Sequence, residues 1–317
     1  MHPAYSVILF TTASGAGYGL LVWLAASALL VRFIPPGTMP ALLAFGMAFA
    51  LITLGLISST LHLGRPERAW RAMSQWRTSW LSREGVLAII TYPVAGLLGL
   101  AWMFEIGGPI LTGLLALATI ASAVATLWCT GMIYASLPTI RAWHMPLVAP
   151  LYIVLGLATG GVLHNLIGRL LQERMPPSAT GLALAAIVVA YFMKSNYWET
   201  IDSAARTYTA ESATGLGAYG KVRSLDPPHS RANFVMREMG YEVGRKHALK
   251  LRQLVMLALF AIPAACLVLS LLTGPGLSLI LALIAVASAA VGVVTERWLF
   301  FAEAEHVVVL YYGKDVA

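Results

Sequence analysis

Between two long apolar runs lies a short polar island: Thr60-Leu61-His62-Leu63-Gly64-Arg65-Pro66-Glu67-Arg68-Ala69-Trp70, continuing through Trp76 and Trp80 to Ser82-Arg83-Glu84-Gly85. The residue types suit proton-coupled redox chemistry on a flat amphipathic molecule met at a membrane edge, such as a quinone head. Quinone oxygens need a partner that exchanges protons near neutral pH, and the imidazole of His62 does so best. Gly64 leaves room for a ring, Arg65 or Arg68 can stabilise a developing quinol anion, and Glu84 can relay the proton to water. A plainer account stays open beside this one. Snorkelling arginines and an aromatic belt are common at membrane edges and need no ligand.

The island must be positioned by membrane helices. The chain has 317 residues, 59% hydrophobic and only 11% charged, with a mean hydropathy of +0.77. A soluble domain carries roughly a quarter of its residues as charges. A shortage spread along the whole chain means that lipid is the solvent. Spans of about 20 apolar residues occur at 6–31, 41–61, 85–104, 110–137, 147–167, 179–193, 254–273 and 277–295. The sixth is short. Lipid leaves backbone groups no external partner, so each span must be a helix. The expected fold is an all-α polytopic membrane protein, a single anchor domain over 1–317 built as a bundle of eight transmembrane helices. Within the island, Pro66 suits the first turn of a new helix. Trp70, Met73, Trp76 and Trp80 recur at near-helical spacing, as in a segment lying along the interface. Ser82 is placed to cap the third span, with Glu84 in its first turn.

Eight spans put both termini on one side. Of the 21 lysines and arginines, only Arg32, Arg169 and Arg174 fall on the opposite side. The positive-inside rule then makes the termini cytoplasmic. Of the 14 acids only Glu105 and Glu173 leave that side, so it is a mixed-charge face suited to a protein partner. The net charge of +7 belongs to this face and not to nucleic acid. The island loop over 62–84 and a long loop over 195–249 elaborate it, the second a docking surface for a partner subunit. Arg77, Arg83, Arg231, Arg237 and Arg245 are the candidate docking residues. The match of Gly215-Leu216-Gly217-Ala218-Tyr219-Gly220 to G-x-G-x-x-G is a glycine turn, since no strand precedes it and no βαβ unit fits.

Other chemistries fare less well. Cys129 and Cys266 are too few for an iron–sulfur or zinc site and sit in apolar runs. No two spans carry paired mid-helix histidines for a haem. No ionisable residue falls near the middle of an expected span, which weighs against a transporter. His164 suits either a second path on the far side or a hydrogen-bonded interfacial histidine. A non-redox assembly scaffold remains an alternative.

The island, with Ser79-Trp80-Leu81-Ser82-Arg83-Glu84, resembles the hallmark of the DmsC family, the membrane anchors of DMSO-reductase-type molybdoenzymes. His2-Pro3-Ala4-Tyr5-Ser6, the run from Met132 through Tyr134, Pro138 and Arg141 to Trp143, and Ala213-Thr214-Gly215-Leu216-Gly217 extend the resemblance along the chain. It implies an anchor in the bacterial inner membrane, without haem or iron–sulfur cluster of its own, that binds ubiquinone or menaquinone. Its implied partners are an iron–sulfur subunit and a molybdopterin catalytic subunit. By motif position, His62, Gly64 and Arg68 are the implied quinol-binding residues, with Arg65 and Glu84 added from the reading above. DMSO reductase itself keeps this loop on the periplasmic side, whereas the charges here put it in the cytoplasm, as in the family's membrane-bound sulfite dehydrogenase anchor. Sulfite oxidation is therefore the first expectation, and S-oxide reduction by menaquinol the second.

Overall fold

Eight helices long and apolar enough to cross a membrane make up the computed structural model, which describes residues 5–30, 34–60, 63–172, 175–203, 209–223, 225–226, 247–304 and 307–312. They are α1 (Tyr5–Leu29), α2 (Thr38–Thr60), α3 (Trp80–Phe104), α4 (Gly108–Ala135), α5 (Val148–Leu171), α6 (Pro177–Ser203), α8 (Ala248–Leu272) and α9 (Pro275–Ala302). A short α7 (Ala210–Thr214) lies in the loop after α6. Every expected span is present, and no strand occurs among the described residues.

Two helices form the centre. About 67% of α1 and 78% of α5 are buried across their apolar windows, against 28–44% for the other six. Glycine makes this pairing close. A Cβ at Gly19 would overlap the Gly156 carbonyl, and one at Gly160 would overlap the backbone of Gly19. Small residues let two membrane helices approach to backbone contact, where packing and not hydrophobicity holds them. One apolar cluster gathers α1 to α4 around Tyr18, Phe45, Leu98 and Trp102. A second gathers α5, α6, α8 and α9 around Tyr152, Tyr197, Leu259 and Phe300. The outward rows of Leu, Ile and Val form the lipid face.

Two local expectations need correction, and one helix carries an irregularity. The sixth span is not short: α6 runs 27 residues to Ser203, so residues 195–203, expected in the long loop, are helical. The helix continues because Lys194, whose charge suggests an end to the span, finds a buried carboxylate. The cap of α3 is Ser79 rather than Ser82, its Oγ accepting from the Ser82 N–H at 3.4 Å. Trp80 and Leu81 therefore join the helix, and Glu84 moves to its second turn. Finally, α8 contains a π-helical turn, Met256–Ala261, just before Pro263. Proline removes a backbone donor, and Ser288 of α9 donates to the Ala258 carbonyl at 2.8 Å. Gly292 makes room there, since a Cβ on it would overlap Leu259.

Candidate functional site

The island forms an exposed shelf beside the start of α3. Residues Pro66–Gln75 are a 3-10 helix with Pro66 in its first turn, as the sequence suggests. None of its residues is buried, and Trp70 and Trp76 are 63% and 54% exposed. Its rings therefore face outward at a membrane edge, where Trp is favoured. Ser82 Oγ donates to the Ala72 carbonyl and Met73 lies against Gly85, which together seat the shelf on α3.

Arg83 locks the far end. Its Nε donates to the Trp76 carbonyl at 3.0 Å and its Nη2 to the Arg77 carbonyl at 2.7 Å. The guanidinium lies 4.2 Å from the centre of the Trp80 ring. Arg77 and Arg71 stack more loosely on Trp76 and Trp70, at 5.5 and 5.6 Å. Of the two island arginines expected to dock a partner, Arg77 is exposed. Arg83 spends two of its donors inside the loop.

Gly64, Arg65 and Arg68 are all exposed, and nothing lies within 4 Å of where a Gly64 Cβ would stand. Arg68 approaches Glu67 only to 4.0 Å, with both side chains about half exposed or more, so this pair contributes little. Glu84 differs. It is 4% exposed, and its Oε1 accepts from Thr130 Oγ1 of α4. It faces the bundle interior rather than water. His62 lies outside the described residues, as do Arg231, Arg237 and Arg245.

The structure adds a cluster that the sequence did not announce. Glu296 of α9 is fully buried and binds two cations. Lys194 Nζ of α6 is 2.5 Å from Glu296 Oε1, Arg297 Nε is 2.5 Å from Oε2, and Arg297 Nη2 is 2.7 Å from Oε1. Aromatic faces line the rest. Lys194 lies 4.2 and 4.6 Å from the Tyr197 and Trp198 rings, and Arg297 lies 4.3 and 4.8 Å from Tyr152 and Phe300. Ring quadrupoles attract cations most strongly where water is absent. Trp198 Nε1 donates to Glu303, which also accepts from Arg252 at 2.7 Å, and Arg252 reaches Asp202 at 2.6 Å. A polar thread thus leads from the buried cluster to the surface. The sequence holds one cue: Lys194 precedes Tyr197 and Trp198 by three and four residues, so all three share a helix face.

His164 is fully buried, its ring stacked against Trp23 at 6.1 Å. Gly215 closes α7 in the left-handed region, φ +69°, where glycine is favoured, so the G-x-G-x-x-G match is a helix end. Cys129 and Cys266 are buried and free, in α4 and α8. Among the described residues no cluster of three His, Cys, Asp or Glu could hold a metal ion.

Known proteins resemble this chain. The family described as DMSO reductase anchor subunit (DmsC) matches residues 1–313. The C subunit of the sulfite dehydrogenase of Allochromatium vinosum is 34% identical over 98% of this chain and 99% of its own. The C subunit of the anaerobic dimethyl sulfoxide reductase of Escherichia coli is 29% identical over 57% of this chain and 63% of its own. The resemblance first seen in the island therefore extends through all eight spans, and this chain belongs to the DmsC family of DMSO reductase anchor subunits.

Proposed function

We propose that this anchor is the quinone-reactive subunit of a sulfite-oxidising molybdenum oxidoreductase in the bacterial inner membrane. The observation that carries the proposal is end-to-end similarity, 34% over 98% of the chain, to the C subunit of a sulfite dehydrogenase. Sulfite is oxidised on a molybdopterin subunit, and its two electrons pass through an iron–sulfur subunit to quinone at the anchor. Reducing quinone to quinol also takes two protons. His62 delivers a proton at a quinone oxygen, Gly64 admits the ring, and Arg65 and Arg68 offset the developing negative charge. Glu84, buried and hydrogen-bonded to Thr130, suits holding a proton inside the bundle better than releasing it directly to water. Arg77, with Arg231, Arg237 and Arg245, contributes to the docking face. The charge asymmetry of the loops supports placing that face, and both termini, in the cytoplasm.

Similarity to the C subunit of a dimethyl sulfoxide reductase supports a second reading, in which electrons flow from menaquinol to an S-oxide. One comparison separates the two. Membranes carrying the whole complex are assayed for quinone-linked electron transfer with sulfite and then with S-oxides, as wild type and as His62→Ala. Sulfite-driven quinone reduction that falls about a hundredfold in an assembled His62→Ala complex, the scale of a lost acid–base group, upholds the first reading. Activity with S-oxides alone moves the chain to the second. Unchanged transfer in His62→Ala removes the island from quinone chemistry.

A further inference from the structure

A cavity of about 530 Å³ lies on the face opposite the island, where α5 and α8 end and α6 and α9 begin. Arg169, Met175, Pro176, Ser270, Thr273 and Ser278 are among its lining residues. Arg169 is only 7% exposed. It donates to Ser278 Oγ at 2.6 Å, Ser270 Oγ at 2.7 Å and Thr180 Oγ1 at 3.4 Å, so it draws together α5, α6, α8 and α9. All three acceptors are neutral, and no carboxylate among the described residues pairs with it. A buried cation without a counter-charge is costly, above all within a membrane.

Two polar atoms of the lining are buried without a hydrogen-bond partner among the described residues: Arg169 Nε and Thr273 Oγ1. The N-termini of α6 and α9 also open here, at Pro177 and Gly274-Pro275. Two helix dipoles therefore present their positive ends to the space that Arg169 lines. Leu271 and Leu272 form an apolar rim, with Leu272 79% exposed.

We propose that this cavity binds an anionic phosphate group, with Arg169 as its main counter-charge and the Thr273 hydroxyl as a donor. The apolar rim at the ends of membrane helices favours the headgroup of an anionic phospholipid, whose acyl chains would lie along Leu271 and Leu272. Free inorganic phosphate shares the headgroup chemistry and is the other source.

The test uses the full-length chain in its intact assembly, purified in detergent and stripped of lipid. Thermal midpoints are followed while phosphatidylglycerol, phosphatidylcholine or inorganic phosphate is added. The expected result is a rise with phosphatidylglycerol at concentrations where phosphatidylcholine gives none. Arg169→Gln should then need about tenfold more phosphatidylglycerol for the same rise, the scale of one charge-assisted contact. Because Arg169 also joins four helices, Thr273→Trp provides a second variant that fills the cavity and leaves the arginine in place. It should abolish the rise. An equal response to inorganic phosphate upholds the anion site and overturns the lipid as its source. No response to either anion, an equal response to phosphatidylcholine, or a response that survives Thr273→Trp overturns the proposal.

Discussion

The island after α2 and the cluster around Glu296 are built from the same kinds of residue, cations set among aromatic rings, yet they are opposites. On the island, Arg65, Arg68 and Arg77 are exposed, and the guanidinium–ring contacts are local, each between neighbours or near neighbours in sequence. In the cluster, three charges from two helices are sealed behind Tyr152, Tyr197, Trp198 and Phe300. Exposure leaves the first group free to meet a ligand or a partner. Burial commits the second group to one another, since charges withdrawn from water persist only when paired and hydrogen-bonded. A charge in a membrane protein is therefore not by itself a sign of transport or catalysis. Its partners decide.

The sharpest way to break this contrast is Glu296→Ala. It leaves Lys194 and Arg297 buried side by side without a counter-charge, a loss on the order of 3–5 kcal/mol. The full-length chain should fail to accumulate in membranes, or should unfold far earlier in a thermal scan. Normal accumulation would show that water already reaches the cluster. Next comes His62→Ala, about a hundredfold in quinone-linked transfer with assembly intact, the reverse pattern from Glu296→Ala. If both substitutions act on assembly alone, the functional side of the comparison collapses. Smaller still is Arg83→Ala. It removes two hydrogen bonds to the loop backbone and the stack on Trp80, about 1 kcal/mol in a partly exposed setting. Hydrogen exchange should speed up in residues 66–79 while the spans stay protected. Unaltered exchange would show that Ser82 and Met73 hold the shelf without it. The smallest effect is expected from replacing the whole cluster, Lys194→Met with Glu296→Leu and Arg297→Leu. Apolar residues of similar size can replace a buried ion network at little net change in stability. If this triple variant assembles but loses electron transfer, the cluster has a role in proton or electron movement that its packing does not reveal.

Some of this was legible before any fold. The eight spans follow from composition and length, because a backbone in lipid can satisfy its hydrogen bonds only within a helix. The turns at Pro66 and Gly215 follow from local conformational preference. The island was legible as a candidate because its polar residues interrupt apolar sequence and lie together along the chain. The cluster was not. Lys194 lies about a hundred residues from Glu296 and Arg297, and a lysine near the end of an apolar run looks the same whether it snorkels to water or meets a carboxylate from another helix. The full length of α6 is hidden in the sequence for the same reason.

What the sequence by itself determined is the solvent, the number and type of the membrane spans and the family. Those properties are set by local composition and by residues close together along the chain. Only the tertiary structure decided that α1 and α5 meet through Gly19, Gly156 and Gly160 and that Glu84 turns inward to Thr130. It alone also decided that Arg169 joins four helices beside a polar cavity. Each of these depends on which helix faces span each contact, a choice made by close packing between distant segments.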